Sequence, residues 1–236
     1  MITLGFDTAT PATAAALVRD EPPLALRRYE APAPGARPEH ASRVLALADE
    51  LLGEAGLDWG AVERLAVGVG PGTFTGLRIG VATARALAQS LGVGLAGVGT
   101  LEALAAGAFG AGPEAADVVA GVIDARRGEA FVAAYAGERE VLAPAVVAPD
   151  DLGPALAAVG EPTRLLAVGD GAIRFRGNLQ GAGVAVPADS SPLHRVDAAV
   201  ICRLASRART LDPEAVVPRY LRQPDAEIAR QKTPQT

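Results

Sequence analysis

Short apolar runs separated by polar turns divide the first half of the chain into predicted strands and helices. Apolar residues that recur every three or four positions predict helices over residues 38–52 and 74–91, with Pro38 in the first helical turn. A third helix is expected to begin at Thr100, whose hydroxyl can cap it. The runs short enough to be buried strands are 2–6, 12–18, 24–29, 64–69 and 95–98.

The second half repeats this order. Its predicted strands are 117–123, 130–135, 140–147, 165–168 and 184–186. Its predicted helices begin near 149–151, follow the turn at 169–171, and span 197–209. Each half therefore reads βββαβαβα, and this duplication predicts an α/β protein with two tandem lobes.

Two such lobes form the architecture of the actin, sugar-kinase and Hsp70-like ATPase (ASKHA) superfamily. We expect an N-terminal lobe over residues 1–106 and a C-terminal lobe over 107–211, with a hinge near 107–113. Residues 212–236 are expected to dock back onto the body, with a frayed end.

Charge and composition narrow the function classes. The net charge is −5, so binding of a nucleic acid by the isolated chain is not expected as its main activity. Cys202 is the only cysteine, which excludes an intrachain disulfide and a cysteine-based zinc site. The absence of a leader-like segment and of a long apolar run predicts a cytoplasmic protein without membrane association.

A glycine-rich turn, Gly70-Pro71-Gly72-Thr73, joins the predicted strand at 64–69 to the following helix. Glycines let the backbone turn sharply, and the N–H groups at a helix N-terminus can hold an anion. The sequence lacks the Gly-Lys-Ser/Thr of a Walker loop and is not GxGxxG. The turn is thus either an anion cradle or a tight connection whose glycines only relieve strain.

A stripe of very small side chains runs along the same helix. Gly76, Gly80, Ala84 and Ala88 are four positions apart and therefore share one face. Such a face permits close approach of another element. The element is either the protein's own sheet or a helix of a partner protein.

The sequence resembles the TsaB (YeaZ) family. The resemblance rests on VGVGPGTFTGLRIGVATARALAQSLGVGLAGVGTLEAL at 67–104, Phe6-Asp7-Thr8, IDARR at 123–127 with Glu129, GDG at 169–171 and PRYLR at 218–222. It implies a role in making threonylcarbamoyladenosine at position 37 of tRNAs that read ANN codons. It also implies that the chemistry belongs to a catalytic paralogue, TsaD.

The resemblance implies a set of partners. TsaD would form a heterodimer with this chain, TsaE would join the fuller complex, the chain alone would form a homodimer, and tRNA would be reached only through the complex. The first-lobe helices would supply the surface that pairs with TsaD. The predicted interface residues are Gly76, Gly80, Ala84, Ala88, Leu77, Leu87, Val44, Ala48 and Leu51.

The chain is predicted to have no catalytic residue, no bound metal and no cofactor of its own. Thr100 and Leu104 stand where the resembled paralogue has a metal-binding His-x-x-x-His pair, and leucine cannot ligate a metal. Arg126 and Arg127 follow Asp124 where the paralogue has a small phosphate-binding turn; they weaken the case for ATP binding without excluding it. The vestigial phosphate turns comprise Asp7, Thr8, Gly70, Gly72, Asp124, Gly169, Asp170 and Gly171.

Two other functions stay open at this point. One is an ATP-dependent kinase or carbamoyl transferase that uses the turns at Asp7, 70–72 and 169–171. The other is direct binding of tRNA, which would show a steeply salt-dependent affinity in the isolated chain.

Overall fold

The computed structural model describes residues 1–20, 23–33, 36–109, 116–160 and 164–222, and within them the chain forms two mixed β-sheets. The strands follow the predicted runs to within one to three residues at each end. The strands are β1 (Ile2–Asp7), β2 (Thr13–Arg19), β3 (Leu24–Glu30), β4 (Arg64–Gly68), β5 (Gly94–Val98), β6 (Val118–Arg126), β7 (Glu129–Ala136), β8 (Arg139–Val147) and β9 (Leu165–Val168).

Seven α-helices lie within the described ranges, and the longest carries the small-residue stripe. They are α1 (His40–Glu54), α2 (Phe74–Leu91), α3 (Thr100–Ala108), α4 (Leu152–Ala157), α5 (Asp170–Arg174), α6 (Arg176–Gly181) and α7 (Ala198–Arg207). None of the described helices combines the length and the apolar character that crossing a membrane requires.

The four strands of the second sheet repeat the topology of the first four strands of the first sheet. The first has the order β3-β2-β1-β4-β5, and the second has the order β8-β7-β6-β9. In each sheet the first three strands in sequence pair antiparallel as a meander, and the next strand pairs parallel with the first of them. This is the tandem arrangement that the duplicated pattern predicts, and it is typical of the ASKHA architecture.

Three local predictions are wrong. Pro38 precedes α1 instead of lying in its first turn, because the helix begins only at His40. Thr100 is the first residue of α3 and not its cap, since its hydroxyl donates to Asp7 Oδ2 at 2.8 Å. The strand at 184–186 is reduced to one parallel bridge between Ala185 and Leu166, and Pro187, which lacks an N–H, prevents its extension.

The last helix of each predicted lobe covers the sheet of the other lobe. Helix α3 packs against β6 and β7 of the second sheet, whereas α7 packs across the strands of the first sheet. The two helices also contact each other, and together with β4, β5, β6 and β7 they enclose one apolar core that includes Ala66, Leu101 and Ile201. Helices α1 and α2 cover the opposite face of the first sheet.

The C-terminal segment spans both halves. Val216 is buried in the first core, and the N–H of Arg219 donates to the carbonyl oxygen of Val69 at 2.7 Å. Leu221 packs against the core shared by α3 and α7, and Arg222 pairs with Glu129 of β7 at 2.7 Å. Residues 110–113 of the predicted hinge and the predicted frayed end at 223–236 lie outside the described residues.

Close approach of α3 to β6 depends on Gly121. A Cβ at this position would lie 2.6 Å from the carbonyl oxygen of Leu101 and 3.1 Å from its Cα. These are backbone atoms, so the contact can be relieved only if the helix moves away from the sheet.

We therefore expect Gly121→Ala to lower the free energy of unfolding by roughly 1–3 kcal/mol, the usual cost of overpacking a core. The measurement is urea denaturation of the full chain. Gly53→Ala is the matched control, because Gly53 lies within α1 with nothing within 4 Å of its Cβ direction. That variant should gain about 0.5–1 kcal/mol from the better helix former. Equal stability of the two variants would contradict the proposed tight contact.

Candidate functional site at the junction of the lobes

Asp7, at the end of β1, is sealed inside the protein. Its side chain is 1% exposed, and its Oδ1 accepts the N–H of Ala9 at 2.8 Å. Its Oδ2 accepts the hydroxyl of Thr100 at 2.8 Å, and that hydroxyl oxygen accepts the N–H of Gly70 at 3.2 Å. Burial raises the pKa of Asp7 to about 6, and the two hydrogen bonds oppose this shift only partly. The carboxyl group thus joins three chain segments and is closed to solvent.

The turn after β1 occupies the N-terminus of α2. The carbonyl oxygen of Ala9 accepts the N–H of Thr73 at 2.7 Å, and the hydroxyl of Thr8 donates to the carbonyl oxygen of Gly76 at 2.7 Å. A Cβ on Gly72 would lie 2.3 Å from the Ala9 oxygen, and one on Gly76 would lie 1.9 Å from that of Thr8. The glycines therefore permit close packing of this chain on itself, and a protein carbonyl takes the place of an anion at Thr73.

Asp124, at the end of β6, corresponds to Asp7 in the second half. Its Oδ1 accepts the N–H of Arg126 at 2.8 Å, which repeats the hydrogen bond from Ala9 to Asp7. Its Oδ2 lies 3.2 Å from Arg126 Nη1 and 2.7 Å from Arg174 Nη1. Two guanidinium groups thus neutralise the charge of Asp124, whereas the side-chain partner of Asp7 is the neutral hydroxyl of Thr100.

The turn at 169–171 also has a structural role. Asp170 Oδ1 accepts the N–H of Asp124 at 3.0 Å, and burial raises the pKa of Asp170. A Cβ on Gly169 would lie 2.1 Å from the carbonyl oxygen of Val122, and one on Gly171 would lie 2.6 Å from the carbonyl carbon of Ile123. The glycines let α5 approach the backbone of β6.

The side chains at these turns do not form a set of ligands for a metal ion. Thr100 and Leu104 are 0% and 2% exposed, so neither offers a ligand to a metal ion in the cleft. Asp7 is fully engaged by Ala9 and Thr100. Among the described residues, no group of three or more His, Cys, Asp or Glu side chains is placed to hold a metal ion.

Most of the residues predicted to contact a partner lie inside the protein. Those buried in its core are Gly76, Gly80, Ala84, Ala88, Leu77, Val44, Ala48 and Leu51; only Leu87 is partly exposed. The small stripe faces β1 and the turn after it, since a Cβ on Gly80 would lie 2.2 Å from Thr8 Oγ1. The pairing of these helices with a partner stays a prediction, and these buried side chains face their own sheet.

The two histidines are likewise internal. His40 is 3% exposed, and its Nδ1 is 2.8 Å from Thr13 Oγ1; burial lowers its pKa. His194 is 8% exposed, and its ring nitrogens lie 3.1 Å from the Gly169 carbonyl oxygen and 3.2 Å from that of Pro187. Neither side chain therefore lies on the surface of the protein.

A basic cleft of about 410 Å³ opens between the start of α2, the β6–β7 turn and the C-terminal segment. Its walls hold an aromatic pair, since Phe74 and Tyr220 have ring centroids 5.0 Å apart. Among the described residues, the charged side chains that line it are Arg126, Arg127, Arg219, Arg222 and Asp124. Sequence reasoning noted the first two arginines but did not bring them together with the PRYLR motif at 218–222.

The raised pKa of Asp7 predicts an unusual dependence of stability on pH. The native carboxyl takes up its proton near pH 6 and the unfolded one near pH 4, so the native state binds more protons in between. The contribution of Asp7 to the free energy of unfolding therefore rises as the pH falls through 6. At pH 7.5 the buried charge costs about 3 kcal/mol, of which roughly 1 kcal/mol is regained by pH 5.

We expect Asp7→Asn to remove this gain, because an amide is neutral at both values. Urea denaturation of the wild type and the variant at pH 7.5 and pH 5.0 measures the difference. The control Asp20→Asn removes an exposed carboxylate and should keep the wild-type pH dependence. Parallel pH dependences of the wild type and Asp7→Asn would show that Asp7 is not buried as a charge.

Comparison with known proteins places the chain in a family. Residues 32–170 match the family described as TsaD, tRNA N6-adenosine threonylcarbamoyltransferase. An uncharacterized protein of Mycobacterium tuberculosis is 38% identical over 161 residues, which cover 67% of this chain and 72% of that protein. The tRNA threonylcarbamoyladenosine biosynthesis protein TsaB of Escherichia coli is 36% identical over 132 residues, which cover 56% of this chain and 54% of TsaB.

Solved structures agree with these relatives. YeaZ from Pseudomonas aeruginosa superposes with a TM-score of 0.74 at 30% identity, covering 92% of this chain and 100% of YeaZ. The ROK hexokinase of Thermus thermophilus has the same fold, with a TM-score of 0.53 at 14% identity. The match covers 88% of this chain and 100% of the hexokinase. The chain therefore belongs to the TsaD-like proteins and, among them, to the TsaB (YeaZ) family.

Proposed function

We propose that this chain is the non-catalytic partner of TsaD in forming threonylcarbamoyladenosine at position 37 of tRNAs that read ANN codons. The names of the E. coli, Haemophilus influenzae and Bacillus subtilis relatives support the pathway. The match to the TsaD family supports descent from the same ancestor as the transferase. The chain would act in the cytoplasm, and its lobes would be residues 1–106 and 107–211, followed by the C-terminal segment.

The observation that carries a non-catalytic role is the buried contact between Asp7 and Thr100. A metal-dependent or ATP-dependent relative needs its carboxylate open to the cleft. Here the Asp7 carboxylate is closed by a hydroxyl and a backbone N–H, and Leu104 lies one helical turn from Thr100 in the core. These residues join the end of β1 to the start of α3 and leave the chemistry to the partner.

The outward faces of α1 and α2 are the best candidate surface for TsaD. Both helices cover the same face of the first sheet, and they pack against each other. Among the polar residues of their solvent side lie small or apolar ones: Leu45 is 42% exposed, and Ala41, Ala82 and Ala86 are also exposed. Small side chains let a partner helix approach closely, and an exposed leucine offers apolar area to bury.

In the proposed assembly this surface forms a heterodimer with TsaD, and TsaE joins the fuller complex. Without TsaD the same surface would pair two copies of this chain. The proposal thus keeps the helices that sequence analysis favoured but moves the contact to their other face.

A charge on this surface should prevent pairing without unfolding the chain. We expect Leu45→Glu and Ala82→Glu to weaken the affinity for TsaD at least 100-fold, because a carboxylate would be buried without a partner. The loss of binding is measured by size-exclusion chromatography with light scattering, using TsaD from the same organism. Val217→Glu changes another exposed apolar residue, 56% exposed, and should bind normally. Co-elution of Leu45→Glu and Ala82→Glu with TsaD would contradict this surface assignment.

The alternative function, an ATP-dependent enzyme active on its own, makes an opposite prediction. If the Asp7 turn is sealed as described, titration of the isolated chain with millimolar Mg-ATP should release no saturable heat. Isothermal titration calorimetry at pH 7.5 is the measurement, and a sugar kinase of the same fold is the positive control. Saturable binding at one nucleotide per chain would favour the enzyme and contradict the non-catalytic role.

A further inference from the structure

A groove runs along α3, between this helix, the β7–β8 hairpin, the end of α7 and the C-terminal segment. It consists of two cavities of about 330 and about 300 Å³, and both are lined by Glu102, Tyr135 and Glu138. Among the described residues, none that lines either cavity belongs to α1 or α2. The groove is therefore separate from the surface proposed for TsaD, and its ligand can be argued without the proposed function.

The hydroxyl of Tyr135 faces this groove without a hydrogen-bond partner. Tyr135 is only 7% exposed and lines both cavities, and no described residue forms a hydrogen bond with its hydroxyl. Val141 is an extra residue in the register of β8 with β7, directly beside the pair of Tyr135 and Glu140. Such a bulge re-aims the neighbouring side chains. Because a shielded hydroxyl without a partner costs free energy, it marks a place where a ligand group can bind.

Two carboxylates lie near this hydroxyl. Burial raises the pKa of Glu102, and the negative charge of Glu140 raises it further. Burial also raises the pKa of Tyr135, and both glutamates add to this shift. Glu102 and Glu140 are thus close enough to repel each other, and a positive charge between them would be stabilised by both.

The arginines of the groove leave one negative charge in excess. Three carboxylates line it, those of Glu102, Glu138 and Glu140, against the guanidinium groups of Arg207 and Arg219. Arg207 pairs with Glu138. Arg219 opposes the shift in the pKa of Glu102, and the place of Glu102 in the first turn of α3 is itself favourable. Among the described residues, Glu140 has no ion pair and remains to be neutralised.

The arrangement suits an organic cation better than a metal ion. No group of three or more His, Cys, Asp or Glu side chains within the described ranges is placed to hold a metal ion. A guanidinium or ammonium group has several N–H donors, so it can reach acceptors that are spread apart. Ala106 and Leu204 line one cavity, and Pro144 and Leu221 line the other. These apolar walls can cover the aliphatic part of an arginine or lysine side chain.

We propose that the groove binds an arginine or lysine side chain carried by an extended segment of a partner protein. The N–H groups of this side chain donate to the carboxylates of Glu102 and Glu140 and to the hydroxyl oxygen of Tyr135. The flanking residues of the segment lie along the two cavities, whose arrangement in line fits an extended chain. The partner is thus a protein with an exposed basic segment, and it binds at a surface different from that of α1 and α2.

The test is an NMR titration of the isotope-labelled full chain with the capped peptide Gly-Ala-Arg-Ala-Gly. Two further peptides carry lysine or citrulline at the central position, and citrulline has the shape of arginine without its charge. We expect saturable changes in the amide shifts around Tyr135 and Glu140 with the arginine and lysine peptides. Binding of the citrulline peptide should be about tenfold weaker, because it cannot form charged hydrogen bonds.

Two variants remove the groups that have no partner in the free protein. Glu140→Gln should weaken binding of the arginine peptide about tenfold, and Tyr135→Phe should weaken it about fivefold. Both should unfold at the same urea concentration as the wild type or at a higher one, because neither loses a native ion pair or hydrogen bond. A folding defect cannot produce weaker binding together with unchanged stability. Glu214→Gln removes an exposed carboxylate outside the groove and should bind as the wild type does.

Several outcomes would overturn the inference. These are no change in the amide shifts at millimolar peptide, equal binding of the citrulline peptide, or wild-type affinity in both Glu140→Gln and Tyr135→Phe. Tighter binding of spermidine or of Mg²⁺ than of the arginine peptide would assign the groove to a small cation. Shifts of the same amides with protein concentration alone would assign it to a second copy of this chain. Binding only to a chain that ends at Arg222 would assign it to residues 223–236, which contain Arg230 and Lys232.

Discussion

The exchange of α3 and α7 between the two sheets is the constraint on which the rest of the structure depends. A sheet that is apolar on both faces must be covered on both. Here the last helix of each half covers the other half's sheet, so neither sheet is fully buried by its own residues. The two lobes are therefore not independent units joined by a linker. Their relative position is fixed by one apolar core, and the cleft between them takes its shape from that core.

The same exchange explains the position of Asp7. Helix α3 begins where it leaves the first sheet, and this brings Thr100 over the end of β1. The corresponding aspartate of the second half, Asp124, meets no such hydroxyl and lies instead among arginines. Two equivalent turns thus differ in their surroundings: Asp7 is buried against a neutral hydroxyl, whereas Asp124 is buried against two guanidinium groups at the wall of the cleft. This asymmetry separates a sealed junction from the wall of an open cleft.

The strands and most helices could be predicted because each is a local pattern. Runs of four to eight apolar residues and a period near 3.6 are visible without knowledge of their neighbours. The face of α2 could not be predicted in the same way. Gly76 and Gly80 are small whether they contact Thr8 of the same chain or a partner helix, and only the tertiary structure distinguishes the two. The hydroxyl of Thr100 could not be placed from the sequence for the same reason. A helix cap involves only neighbouring residues, whereas the hydrogen bond from Thr100 to Asp7 joins residues that are 93 positions apart.

The basic cleft was the part of the site least accessible to sequence analysis, and the reason is physical. Arg126 and Arg219 are far apart in the chain, and the C-terminal segment brings them together by hydrogen bonding to Val69 and pairing with Glu129. A segment that only closed the lobes would need apolar side chains such as Val216 and Leu221, which it has. Asparagine or glycine would form the left-handed turn at Arg126 and Arg127 with less backbone strain. The combination of strain, like charge and an exposed aromatic ring is what distinguishes this cleft from the sealed turns beside it.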